Sequence, residues 1–260
     1  MSASREMRTL GVDLASQPTK TFAAVIRWGA AQATVELHPR TTDATILELA
    51  RAADASGIDA PFGWPQPFLD FLAADGAARA QRRWDTGYRD ALTYRRSDAY
   101  VRAVTGSWPL SVSTDRIAYV AMRCGLLLAQ LGVHDRAGDG RVFEVYPGAA
   151  LLQWGLRAAD EGSYKQREKG EGARRRILGR LRASCPWLAL TTAQRASCIA
   201  SDDALDALVA ALNARAARLG RTLGPPAEDR ELARVEGWIA LPQRDTLAGL
   251  IAPRGRGRAR

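Results

Sequence analysis

Histidine and cysteine are scarce in this 260-residue chain, with two of the first (His38, His134) and three of the second (Cys124, Cys185, Cys198). None of the cysteines forms a C-x-x-C pair, which excludes a disulfide scaffold and leaves too few ligands for a Cys/His zinc site. Long apolar runs are missing too. The longest, about residues 120–131, is interrupted by Arg123 and falls short of the roughly 20 residues a membrane span needs. The N-terminus carries Arg5, Glu6 and Arg8 and shows no apolar signal-peptide core. A cytoplasmic protein with reduced thiols and no membrane partner is expected. No fixed-period repeat or long linker divides the chain. At 47% hydrophobic residues it can bury a full core, so a single domain over 1–252 is expected, with insertions near 62–112 and 155–200.

What is present is positive charge, unevenly placed. Lys+Arg is 37 against 28 Asp+Glu, a net +9. Residues 165–182 contribute +6, and Arg254, Arg256, Arg258 and Arg260 contribute +4, so the remainder is close to neutral. Two readings stand. Clustered Arg and Lys bind a polyanion such as nucleic acid through counterion release, or they form a solvated helix face and a solubilising tail. The Arg/Gly stretch 253–260 has no apolar residue and is expected to be disordered.

Hydrophobic period and turn signals set a coarse order. Strands are predicted at 8–15, 21–28 and 32–38, the last two forming a hairpin. A helix follows over 43–54 with Asp43 as N-cap, then a strand at 57–60 stopped by Pro61. A helix near 66–74 opens an irregular stretch to 110. A long helix at 114–131 precedes a strand at 141–146, and a well-formed helix covers 202–218. A strand-like segment at 237–241 closes the order. The core pattern β-β-β-α-β-α-β specifies an α/β fold with a mixed five-stranded sheet flanked by helices. Right-handed crossovers make its first, fourth and fifth strands parallel.

Each of those three strands ends in an acid: Asp13 in L-G-V-D, Asp59 in G-I-D and Glu144 in V-F-E. Their carboxyl ends share the sheet edge where ligands bind in open α/β folds, and neighbouring strands lie about 4.8 Å apart. Crowded carboxylates repel, so their pKa values rise or a cation holds them. Oxygen donors without nearby His or Cys select Mg²⁺ or Mn²⁺. Taken singly, each acid reads more simply as a strand-end residue paired to a backbone N–H or an Arg. Three at matched positions favour the metal. In S-D-D-A-L-D-A-L-V-A-A, Asp203 and Asp206 lie three apart on one helical face. Helix-dipole compensation suffices for Asp202, the cap or an accessory acid, but not for Asp206, which interrupts an apolar stripe.

The motifs G-V-D-L-A-S, I-D-A-P-F-G-W-P, E-V-Y-P-G-A and S-D-D-A-L-D-A-L-V-A-A, then E-G-W-I-A-L-P, resemble domain-of-unknown-function family 429, a family of predicted RNase H-fold nucleases. The likeness runs in order over about residues 9–242. D-A-L-D-A-L-V-A-A also resembles the last active-site helix of RuvC-type Holliday junction resolvases. The resemblance implies an RNase H-like fold and a nuclease. It implies Asp13, Asp59, Asp203 and Asp206 as catalytic metal ligands and Glu144 as a further catalytic acid peculiar to this family. Glu48, the only acid inside the first helix, is given no role. The implied mechanism is two-metal phosphodiester hydrolysis with Mg²⁺ or Mn²⁺, acting on nucleic acid, DNA or RNA unspecified, in an unspecified oligomeric state.

In Y-R-R-S-D and G-S-Y-K, Arg95, Arg96 and Lys165 stand where insertions can overhang the acidic edge, and are expected to grip a substrate phosphate. The competing reading is internal ion pairing, Arg96 with Asp98 for example. Trp64, Trp84 and Trp108 lie in loop-like insertions and are read as packing before base stacking. Cys124 reads as an inert core thiol. Two other functions stand beside the nuclease. One is a nucleotide-dependent phosphotransferase or ATPase of the related actin-like architecture, although G-V-D-L-A-S-Q-P-T lacks a Gly-rich phosphate turn. The other is a non-catalytic nucleic-acid-binding module, against which the intact acids speak.

Overall fold

The computed structural model describes residues 6–166 and 169–251; the expected Arg/Gly tail lies outside them. The strands β1 (Met7–Asp13), β2 (Phe22–Trp28), β3 (Ala33–Pro39), β4 (Ala55–Asp59), β5 (Val142–Glu144) and β6 (Leu188–Ala189) form one sheet in the order β5-β4-β1-β2-β3-β6. The chain first makes an antiparallel meander β1-β2-β3. β4 then joins β1 in parallel, and β5 joins β4 in parallel, as the crossover rule requires. β6 adds a sixth strand, parallel to β3, where five were expected. Two residues are too few for alternation to register in the sequence. The strand expected at 237–241 makes only a bridge from Ile239 to Glu144. Beyond it β8 (Leu241–Pro242) pairs antiparallel with β7 (Thr222–Leu223) in a separate two-stranded ribbon.

Eleven α-helices occur among the described residues: α1 (Asp43–Ala52), α2 (Gln66–Ala73), α3 (Gly76–Ala80), α4 (Thr86–Thr93), α5 (Arg96–Thr105), α6 (Ala118–Leu131), α7 (Pro147–Gln153), α8 (Glu171–Ser184), α9 (Thr192–Ala200), α10 (Asp202–Arg218) and α11 (Arg230–Glu236). None is long and apolar enough to cross a membrane. Thr42 rather than Asp43 caps α1, accepting from the Thr45 N–H, and Ser201 rather than Asp202 caps α10. Both agree with the preference for a hydroxyl just outside the first turn.

The sheet is buried on both faces. Leu10, Val12, Ala23, Val25 and Ile58 pack with α1 and α6, through Ile46, Leu47, Cys124, Leu127 and Leu128. Phe22, Ala24, Ile26 and Trp28 face the other way, onto α7, α8 and α10. Strand alternation therefore puts Thr9, Gly11 and Asp13 of β1 on the α10 side.

Contact between α10 and the sheet is unusually close at one place. Gly11 and Gly57 are register partners on β1 and β4. A Cβ on Gly11 would overlap the Ala207 carbonyl oxygen and the Ala211 amide nitrogen, and one on Gly57 would lie 2.6 Å from the Ala210 oxygen. Two glycines below and Ala207, Ala210 and Ala211 above thus bring backbone against backbone, as only residues this small permit. Asp13 and Asp59, also register partners, sit two residues further along the same strand faces. Asp206 immediately precedes Ala207, so this packing sets all three acids together.

Gly11→Ala should therefore cost about 3 kcal/mol by overpacking, read by denaturant unfolding. Gly125→Ala, in α6 with nothing near its added methyl, should instead be neutral or stabilising by about 0.5–1 kcal/mol.

Candidate metal centre

Asp13 ends β1, Asp59 ends β4, and Asp206 projects from the buried stretch of α10. Carboxylate oxygens of these three residues lie within 4.8 Å of one another. Asp203, one turn earlier on α10, is half-buried beside them and adds to the field at Asp13.

Burial pushes the Asp13 carboxyl well above the usual range, and Asp206 and Asp59 raise it further against the pull of Lys165. Asp59 is lifted by burial to about 7, opposed first by Lys165 and reinforced by Asp206 and Glu144. Asp203 is raised by burial and then by Asp202 and Asp206. Desolvation with like-charge repulsion is the pattern of a site built to receive positive charge.

Part of that charge comes from the chain. Asp206, 2% exposed at its side chain, pairs through Oδ2 with Lys165 Nζ at 2.9 Å. Its Oδ1 accepts from the Tyr164 hydroxyl at 2.8 Å. Lys165 keeps 46% of its side chain in water, yet Asp206 first, then Tyr164, Asp59 and Asp13, hold its ammonium firmly protonated against the cost of desolvation. Tyr164 is buried and was missed by sequence reasoning; the G-S-Y-K motif signalled only its neighbour.

The basic run 165–182 turns partly inward. Arg174 is fully buried and donates to the carbonyls of Tyr164 (2.6 Å), Gln166 (3.1 Å), Ile199 (2.7 Å) and Ala200 (3.4 Å). Arg175 pairs with Glu171, and Arg176 and Arg180 with Glu161. Much of this charge therefore ties α8 to the chain around Glu161 and Tyr164.

Two expectations on the opposite wall need correction. Glu144 stands beside the triad without belonging to it. Arg95 Nη2 meets its Oε1 at 2.7 Å, while Arg95 Nη1 and the Phe62 N–H meet Oε2 at 2.9 Å each. Arg95 also grips Asp98 through Nη2 (2.8 Å) and Nε (3.1 Å). All three side chains are essentially dry. The guanidinium fork is thus saturated by Glu144 and Asp98, so Arg95 is not a phosphate grip and Glu144 is not a free acid. Arg96 is 61% exposed and pairs with Asp229 at 3.0 Å, not with Asp98 and away from the acidic edge. Glu236, buried and missed in the sequence, accepts the Gln66 and Arg96 backbone N–H groups and anchors α2 and α5.

A cavity of about 330 Å³ opens between Asp13, Asp59 and Lys165 on one side and Pro109, Leu110, Ile117 and Val120 on the other. The 62–112 insertion does overhang the acidic edge, but with an apolar lip. Trp84 and Trp108 are exposed, not core, and Trp108 stacks on Tyr94 with ring centroids 4.0 Å apart. Cys124 is buried as expected.

Fold and site together define a mixed α/β protein whose parallel strand ends and one buried helix converge three aspartates beside a lysine. The chain belongs to the family described as protein of unknown function (DUF429), whose model matches residues 11–231. No curated protein and no solved structure matches it.

Two measurements follow from these charges. Arg95→Met leaves Glu144 and Asp98 buried without the cation that pairs them and should cost about 3–5 kcal/mol in denaturant unfolding; an unchanged midpoint would show that Arg95 is not structural. The Asp59 carboxyl takes up its proton near pH 7 when folded and near 3.8 when unfolded. Protonation therefore favours the folded state, fully below about pH 4, and this contribution is lost as pH rises through about 7. Melts in EDTA should show Asp59→Asn matching wild type near pH 4 and exceeding it by on the order of a few kcal/mol at pH 8. A gap that stays constant with pH would exclude this titration.

Proposed function

We propose that the chain is a metal-dependent nuclease of RNase H-like architecture that hydrolyses phosphodiester bonds in DNA or RNA. One observation carries the reading: Asp13, Asp59 and Asp206 converge their oxygens within 4.8 Å, from three elements far apart in sequence. Strand order supports the architecture, since the meander β1-β2-β3 continues through β4 and β5 on the other side of β1. The donor set fits the implied ion. Mg²⁺ takes oxygen ligands at 2.0–2.1 Å, so the triad would draw its oxygens closer together around one ion.

Asp13, Asp59 and Asp206 would hold Mg²⁺ or Mn²⁺, with Asp203 at the edge of the group. A divalent ion in such a site supplies Lewis-acid activation of water and neutralises charge on the phosphoryl oxygens. The chain's own part is placement. Close packing of α10 fixes the acids before substrate arrives, which removes reorganisation from the reaction. Lys165 faces the same cavity and offers its ammonium to a phosphate oxygen. Pro109, Leu110, Ile117 and Val120 limit water on the far side, strengthening every charge interaction inside. Among the described residues no Ser, Cys or His lines this cavity, which accords with water rather than a side chain as nucleophile. Cytoplasmic residence belongs to the same reading and accords with three free, buried thiols.

Asp13→Asn should reduce Mn²⁺-dependent cleavage of nucleic acid to background, while its melting temperature in EDTA stays equal or rises because a repelling charge is gone. Cleavage retained in that variant would remove Asp13 from the chemistry.

A further inference from the structure

We propose that Lys165 takes the place of a second divalent ion, so that this site holds one metal ion and one ammonium rather than two metals. The inference rests on the metal-dependent reading above and adds the number of ions to it.

Asp206 decides the matter. In a two-ion site the ions stand about 3.5–4 Å apart, and carboxylate oxygens must serve both. Here neither oxygen of Asp206 is free. One accepts the Tyr164 hydroxyl and the other pairs with the Lys165 ammonium. Asp13 and Asp59 remain available to a first ion, with Asp206 contributing through an oxygen it already shares.

The lysine is not a loose surface residue resting on an acidic patch. Buried Arg174 donates to the carbonyls of Tyr164 and Gln166, one on each side of Lys165, and ties the same segment to the Ile199 carbonyl at the end of α9. Helix α10, with Asp206, begins three residues after Ile199. The frame that carries the acid therefore also carries the ammonium. A divalent ion entering that position would have to displace a positive charge held from both sides, or sit against it unscreened in a partly desolvated cavity. The ammonium also faces the cavity that would receive a phosphate. Hydrolysis adds OH to phosphorus and H to the departing oxygen, and a lysine cation placed there offsets the charge that gathers on that oxygen without being consumed.

The test is a Mn²⁺ titration of the metal-free, full-length protein, following free ion by its electron paramagnetic resonance signal, in wild type, Lys165→Met and Lys165→Arg. One Mn²⁺ per chain is expected in wild type and in Lys165→Arg. Lys165→Met, which keeps the half-exposed stem and loses the charge, should bind a second ion or hold the single one at least tenfold more tightly. Two ions in wild type would overturn the inference and leave the nuclease reading standing. One ion in wild type and Lys165→Met alike, with affinities within tenfold, would also overturn it. No Mn²⁺ binding in any of the three would bring down the metal-dependent reading itself, and this inference with it.

Discussion

Three aspartates whose oxygens lie within 4.8 Å repel one another, and burial in a partly apolar cavity strengthens that repulsion. Nothing in their local sequence makes such a cluster favourable; it is imposed by packing elsewhere. Gly11 and Gly57 let α10 lie directly on β1 and β4, and the helix is buried along nearly its whole length, from Ala204 to Ala216. Each Leu or Val of that helix contributes about 1.5–3 kcal/mol when fully buried, so a few of them outweigh the repulsion at one end. The site's geometry is thus a by-product of the packing of α10 on the sheet. Its carboxylates face the Lys165 ammonium, which offsets their mutual repulsion only in part.

The same sheet edge carries a second set of acids with the opposite outcome. Glu144 ends β5 one strand over from Asp59 and is the more deeply buried of the two; its carboxyl is likewise raised by desolvation, with Arg95 opposing. The difference lies in the cation. A guanidinium offers a planar fork and here uses it on Glu144 and Asp98 together, which occupies both carboxylates. Lys165 is a point charge on a flexible stem and engages one oxygen of one aspartate. It moderates the cluster without filling it. Arginine makes one corner a structural joint, and lysine leaves the other corner open.

That distinction also marks what could be read in advance. Asp13 and Asp59 were legible because strand ends in parallel neighbours must share an edge, and Asp206 because an acid inside an apolar helical stripe needs a reason. Glu144 carried the same strand-end signature and differs only through Arg95, which lies 49 residues away in sequence. No local pattern encodes that partner, because Tyr94-Arg95-Arg96 reads the same whether its charges point inward or outward. The basic run of residues 165–182 misleads for a related reason. Composition counts Arg174 with the solvated charges, whereas four backbone carbonyls take it into the interior. Strand β6 escaped because two residues have no period.

The insertions complete the edge from both sides and in different chemistry. Residues 62–112 lay an apolar lip of Pro109 and Leu110 over the carboxylates, while the segment before α8 brings Tyr164 and Lys165 against Asp206. The lip lowers the local dielectric and so raises both the carboxylates' repulsion and their attraction for a cation. The lysine segment opposes the first without satisfying the second. Replacing one of these aspartates with a neutral residue would relieve repulsion, since the Lys165 ammonium pairs with Asp206 and one positive charge does not balance three negative ones. Arg95 meets Glu144 and Asp98 with a smaller excess; under the metal-dependent reading, the charge left over at the aspartates is what a divalent ion would meet.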